Sequence, residues 1–467
     1  MITYFPNRIA NKGIALYLIS LVLVSMLFFH YVIPWYFMVM GLAEILVFFL
    51  FTNKYTKDWQ GIPTSRLFEK RLFWTALLLR IVWVVFSYFF YIQQTGRPFE
   101  YETADALGYH EAAKWFSEMD WNRVMHDLFY SKKEYSDSGY PLYLTFLYKI
   151  VGPNIFIARI VKAVLSAYMC VLIYRLTTRN LEDKVGRMAA VFCAFMPNLY
   201  IYCGLHVKET EMLFLTVAFL ERADYALRAK RLRFWDVIIP ILLCLSLFFF
   251  RTALGAVAAL SFITALMFSS SKVTSRTRKW MIAVWAIVAV VVLGGSTIAN
   301  EVEGLIQNKD TNQELRRLEQ TQRGNLWAKY ATGTVMAPMM FVMPFTTMVD
   351  TGQYSQLVLH GGNFVRNFMG VFVLIGVFSA VFTKKNWRDL SLVGSFTIGY
   401  LLVISLSGFA NSERFLLPGL PGLLIMAAYG ISELTPKNYK YVKVWYVIVV
   451  LMQLGWAYFK IGSRGLL

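Results

Sequence analysis

Asp105 lies in the stretch Glu102-Thr103-Ala104-Asp105-Ala106-Leu107-Gly108-Tyr109-His110-Glu111, where acids, a tyrosine and a histidine crowd together. Tyr109, Ala112, Ala113, Phe116 and Met119 then recur at steps of three and four, which predicts one apolar stripe of a helix starting just after Asp105. A carboxylate at that place has two roles open to it. It caps the helix, as Asp commonly does, or it acts as a general base whose ionised form the helix dipole favours. Glu102 and Glu111 are the nearby acids able to assist or replace it, and Tyr109 and His110 are hydrogen-bonding neighbours. A second set of charged residues falls at the ends of apolar runs. It comprises His206, Lys208, Glu209 and Glu211 in one short turn, Arg251 in another, Arg316 and Arg317 in a long polar segment, and Glu413 with Arg414 just before Phe415-Leu416-Leu417-Pro418. Cations set against hydrocarbon either hold an anionic group or snorkel to lipid headgroups. Arg316 and Arg317 also read as a solvated helix face, and Glu413 with Arg414 as a surface pair, although adjacent helical residues do not face one another.

The elements that position these residues cross a membrane. The chain is 57% hydrophobic, 17% aromatic and 16% charged, with a mean hydropathy of +0.51, which excludes an ordinary soluble domain. Its net charge of +18 is expected first in short cytoplasmic loops, so no nucleic-acid partner is needed. Cys170, Cys193, Cys203 and Cys244 lie in or beside apolar runs with no Cys-x-x-Cys pair, and read as buried thiols.

Apolar segments at 14–33 and 35–51, joined at Pro34, form a hairpin with the N-terminus inside, the first being a retained anchor rather than a cleaved signal. Basic residues from Lys54 to Arg71 precede the run 72–92, and an acidic loop from about 93 to 153 follows it, which puts the Asp105 loop outside. Further spans are expected at 155–174, 188–203 and 212–227. The run 234–268 is about 52 Å long as a helix, against a hydrocarbon core of about 30 Å, so it turns back at Arg251 on the same side as Asp105. A span at 280–298 leads to a second external segment, about 299–362, in which 335–345 dips into the interface. Spans at 364–382, 390–407, 415–431 and 444–458 complete an all-α polytopic bundle of about thirteen helices. Three regions are expected: a hairpin with its cytoplasmic loop at 1–71, a catalytic transmembrane domain at 72–431, and a C-terminal helix at 432–467.

With the Asp105 stretch, Gly139-Tyr140-Pro141-Leu142, Met196-Pro197-Asn198 before Lys208-Glu209, and Glu413-Arg414-Phe415-Leu416-Leu417-Pro418 occurring in that order, the chain resembles the GT-C superfamily of membrane glycosyltransferases. Within it the branch using lipid-phosphate sugars, with the protein mannosyltransferases and the aminoarabinose transferase, is the nearest in pattern. It departs from that pattern in having Ala106 where many members carry a second acid, in the extra hairpin, and in lacking a sizeable soluble C-terminal domain. The resemblance implies an inverting transfer from a polyprenyl-phosphate-linked sugar to a glycan, lipid or protein acceptor, with Asp105 as base. The arginines and lysine would then stabilise the departing phosphate. No cofactor is required, although a divalent cation is compatible with the acids. The expected place is the bacterial inner membrane, with the site facing the periplasm or exterior. A polysaccharide polymerase or ligase using a lipid diphosphate shares these features, with Arg316, Arg317 and Arg323 favouring it. A lipid-linked-sugar flippase would require mid-span ionisable residues and an internal repeat, and no clear repeat is found.

Overall fold

The computed structural model describes residues 4–101, 104–128, 138–229, 232–268, 337–406 and 412–465, with Trp280 and Trp285 besides. These residues form helices and connecting turns, with no strand among them. Seven helices are long and apolar enough to cross a bilayer. The expected spans fall on helical segments, with two corrections: 188–203 is broken where a helix ends at Phe195 and Met196 is extended before Pro197, and 14–33 runs past the end of the first helix at Leu27. The span 280–298 lies outside the described residues apart from two tryptophans. Together with the composition, this makes the chain an integral membrane protein.

Helices α1 (Asn7–Leu27) and α2 (Trp35–Leu46) form the first hairpin, turning through an extended Pro34. α3 (Ser65–Thr95) is 31 residues, about 46 Å, long enough to emerge from the hydrocarbon. Thr64 caps its start by accepting from the Leu67 amide, and Gly96, at φ 74°, ends it in the left-handed conformation.

Arg80 lies within this span and is fully buried, yet it belongs to the frame. α7 (Ile155–Asn180) and α8 (Asp183–Phe195) pack beside α3, and α8 ends where Met196 turns extended and Pro197 lacks an N–H, which leaves its last carbonyls without helical partners. Arg80 donates to two of these, Ala194 at 3.1 Å and Cys193 at 3.3 Å, and to Ser166 Oγ at 2.7 Å. A buried cation and orphaned backbone oxygens thereby satisfy each other where no water is available.

Outside the bundle, α4 (Ala104–Ser117) and α5 (Trp121–His126) precede α6 (Gly139–Val151). α4 sets Ala106, Ala113 and Phe116 inward and packs on α6, the stripe its sequence spacing predicts. Gly139 is needed where α6 starts, since a Cβ there would come within 2.7 Å of the Phe250 ring. After α9 (Pro197–Ile201) comes α10 (Glu209–Arg228); α11 (Phe234–Phe250) and α12 (Thr252–Phe268) then meet at Arg251.

From Ala337 the chain makes a short 3-10 turn and then an irregular, largely buried run before α13 (Tyr354–Leu357) and α14 (His360–Phe378). Irregular backbone at membrane depth needs partners. Asn367 supplies them, donating to the carbonyls of Val342 at 2.7 Å and Pro344 at 3.0 Å and accepting from the Thr346 amide at 3.2 Å. α15 (Ser391–Leu406), α16 (Glu413–Leu416), α17 (Leu420–Ser432) and α18 (Tyr439–Ser463) follow. α18 is joined to the same hub, with Gln453 Nε2 donating to Asn367 Oδ1 at 3.1 Å.

Candidate functional site

Helix ends and the loop helix converge on Arg414. Its Nη1 donates to Asp105 Oδ2 at 2.7 Å and its Nε to Glu209 Oε1 at 2.8 Å. One guanidinium thus ties α4, outside the bundle, to the first residue of α10 and to the start of α16. The Glu209 side chain is fully buried, whereas that of Asp105 is 55% exposed. Glu209 Oε2 has no hydrogen-bond partner among the described residues. The sequence placed Asp105 just ahead of its helix, as a cap or a general base. In the structure the helix already includes Ala104, so Asp105 is in the first turn, and its carboxylate is engaged by Arg414.

Two further cations stand beside this pair. Arg251 donates to the Tyr400 hydroxyl at 3.1 Å, and its guanidinium lies 4.1 Å from the centre of the Phe415 ring. Lys208 donates to the Phe250 carbonyl at 3.2 Å. Burial, and then the charge of Arg251, push its amine down to about 7. Burial and the carboxylates of Glu209 and Asp105 raise the Tyr109 hydroxyl to about 12, so it remains a proton donor at neutral pH.

Behind these lies a row of hydrogen-bonded polar groups. His110 Nδ1 meets the Tyr148 hydroxyl at 2.9 Å, which meets His206 Nε2 at 3.3 Å, and the His206 amide donates to Glu100 Oε2 at 3.4 Å. Burial lowers both imidazoles, that of His206 well below its ordinary value, so the two histidines tether α4 to α6 and the 205–208 turn without adding positive charge. Glu111 is exposed and is not among the residues lining the cavity described next. Glu102, Arg316, Arg317 and Arg323 lie outside the described residues.

A cavity of about 380 Å³ opens beside Asp105 and Arg414. Glu413, read in the sequence beside Arg414 as a surface pair, makes no such pair but turns the other way, its Oε1 accepting from Asn198 Nδ2 and its Oε2 from Asn363 Nδ2 at 3.3 Å. Asn198 Nδ2 also donates to Asn363 Oδ1 at 2.9 Å. Helix geometry contained the signal, since neighbouring residues diverge by about 100°. The C-terminal helix also reaches the cavity. Trp456 donates to Thr347 Oγ1 at 3.2 Å, and Lys460 donates to Gln353 and Gln356, each at 3.0 Å. Among the described residues no group of three or more His, Cys, Asp or Glu is arranged to hold a metal ion.

No family model and no curated protein matches the chain. Among solved structures it is similar to the crystal structure of the Archaeoglobus fulgidus oligosaccharyltransferase tethered by a disulfide to an acceptor peptide containing the NVT sequon. The identity is 13% and the TM-score 0.46, over 88% of this chain and 56% of that one. The chain therefore spans little more than half the length of that protein.

Proposed function

We propose that this membrane protein is a GT-C-like glycosyltransferase that moves a sugar from a polyprenyl-phosphate-linked donor to an acceptor hydroxyl at the outer membrane face. The observation that carries this reading is the Arg414 bridge: a half-exposed carboxylate and a guanidinium sit 2.7 Å apart on the wall of one cavity. Its volume of about 380 Å³ falls in the range of about 300–1,000 Å³ that small-molecule sites occupy.

The chemistry follows from the parts. Arg414 holds the Asp105 carboxylate in place through their 2.7 Å bond until a donor phosphate draws the guanidinium toward itself. Asp105 then takes the acceptor's proton as the acceptor oxygen bonds to the anomeric carbon. The bond from that carbon to the phosphate oxygen breaks, its electrons leave with the phosphate, and configuration inverts in one displacement. Arg414 and Arg251, with Lys208 when protonated, face the charge that grows on the departing phosphate.

The test is turnover of an undecaprenyl-phosphate sugar by the purified protein in lipid nanodiscs. Lipid phosphate should be released in step with a glycoside of opposite anomeric configuration. Retained configuration removes the single displacement, and release only from a lipid diphosphate makes the protein a polymerase or ligase.

A further inference from the structure

Resting on that reading, we propose that the Asn198–Asn363–Glu413 triangle is the sugar-binding floor of the cavity, so that Glu413 grips a hydroxyl pair of a pyranose while Asp105 serves the acceptor.

The triangle is built to hold a carboxylate open. Each oxygen of Glu413 receives one amide N–H, from Asn198 and from Asn363, and a carboxylate oxygen can accept a second donor. Among the described residues Glu413 has no ion pair. Glu413 interacts electrostatically with the buried Arg366 guanidinium, which makes no hydrogen bond to it, and an acid so placed is costly and usually serves a site. Asn198 is fully buried, with its Oδ1 unpartnered among the described residues. Gly362 is what lets it approach, for a Cβ there would stand 2.5 Å from that oxygen. Glu413 and Asn363 both line the cavity. Tyr101, Tyr202 and Trp456 supply aromatic wall, and Gln356 supplies a polar group. Carboxylate and amide groups below with aromatic rings beside them suit a ring carrying hydroxyls on its edge and C–H groups on its face.

This placement also explains why adjacent residues diverge. Glu413 turns to the floor and Arg414 to the mouth, so one helix start would address the sugar and its phosphate separately. A purely structural Glu413 would act only by holding that helix start and aiming Arg414, and this alternative predicts a different result.

The experiment compares two probes, undecaprenyl phosphate and the same lipid carrying a hexopyranose, bound to the full chain in nanodiscs and read by native mass spectrometry. Glu413→Gln should weaken the glycosylated lipid by about ten- to a hundredfold, the factor that a hydrogen bond to a charged group supplies, and leave the bare lipid unchanged. Glu413→Asp should recover part of the loss. Equal weakening of both lipids assigns Glu413 to aiming Arg414 and overturns the proposal, as does no change in either. Should Glu413→Gln fail to fold, Asn363→Ala, which removes the other member of the triangle that lines the cavity, carries the same selective expectation and the same overturning outcomes. Wild-type protein that binds neither lipid removes the donor reading itself, and the sugar floor with it.

Discussion

The two ends of α7 and α10 solve the problem of charge in a membrane protein differently. At the end remote from Asp105, acids and arginines satisfy one another. Arg175 grips Glu69 with two bonds of 2.8 and 2.7 Å, and Asp224 accepts from Arg179 and Arg228, both at 3.1 Å. Arg175–Glu69 and Arg179–Asp224 tie helix to helix, and Arg228–Asp224 braces one turn of α10. At the Asp105 end the same residue types are left incomplete. Glu209 keeps one oxygen unpartnered among the described residues, Arg251 rests on an aromatic ring, and Asp105 and Glu413 face a cavity. Closed networks serve stability, whereas unfilled hydrogen-bonding capacity beside a cavity is what a ligand completes.

The sharpest way to break this contrast is to neutralise one acid at each end. Asp105→Asn should fold normally, with its melting temperature near that of the wild type, and lose about a hundred- to ten-thousandfold in turnover, the contribution of a positioned base. Asp224→Asn should do the opposite, costing about 3–5 kcal/mol in stability because two arginines lose a buried partner, while each folded molecule turns over normally. Normal turnover by the Asp105 variant would reduce the Arg414 bridge to another structural pair.

Arg414→Lys tests the bridge with a smaller effect. A lysine cannot present two N–H groups in the fixed fork that reaches Asp105 and Glu209 together, so kcat/KM should fall about tenfold, one such hydrogen bond's worth. An unchanged kcat/KM would mean that the fork geometry is irrelevant.

The smallest expected effect is a pH step. Lys208 has its amine lowered from 10.5 to about 7, so it is charged below that pH and neutral above it. A phosphodiester headgroup stays ionised throughout, and donor affinity should therefore drop by about fivefold, one Coulomb interaction at about 4 Å screened as in bulk water, as pH rises through about 7. Lys208→Met should flatten the curve. Stability runs the other way, because between about 7 and 10.5 the unfolded amine binds more protons than the folded one, so this residue makes the fold more stable as pH climbs. Parallel curves for the wild type and Lys208→Met would take Lys208 out of the phosphate site.

Much of this molecule was legible in the chain because its causes are local. Hydropathy over a span-length window depends on neighbouring residues alone, and so do the stripe of α4 and the turn at Arg251. Those features determined an all-helical membrane protein with charged residues at its span ends. Which charges meet was decided elsewhere. Arg414 and Asp105 are separated by 309 positions, and Asn198 and Glu413 by 215. A pairing at that range depends on how whole helices pack, and no periodicity encodes it. The same holds for Arg80, whose partners at the end of α8, the Ala194 and Cys193 carbonyls, lie 114 and 113 positions away. It holds too for Trp456 and Lys460, which reach the cavity only because α18 packs against the irregular segment organised by Asn367. The sequence alone set the solvent each segment prefers. Tertiary packing chose the partners, because in hydrocarbon every polar group must find one inside the protein, wherever in the chain it lies.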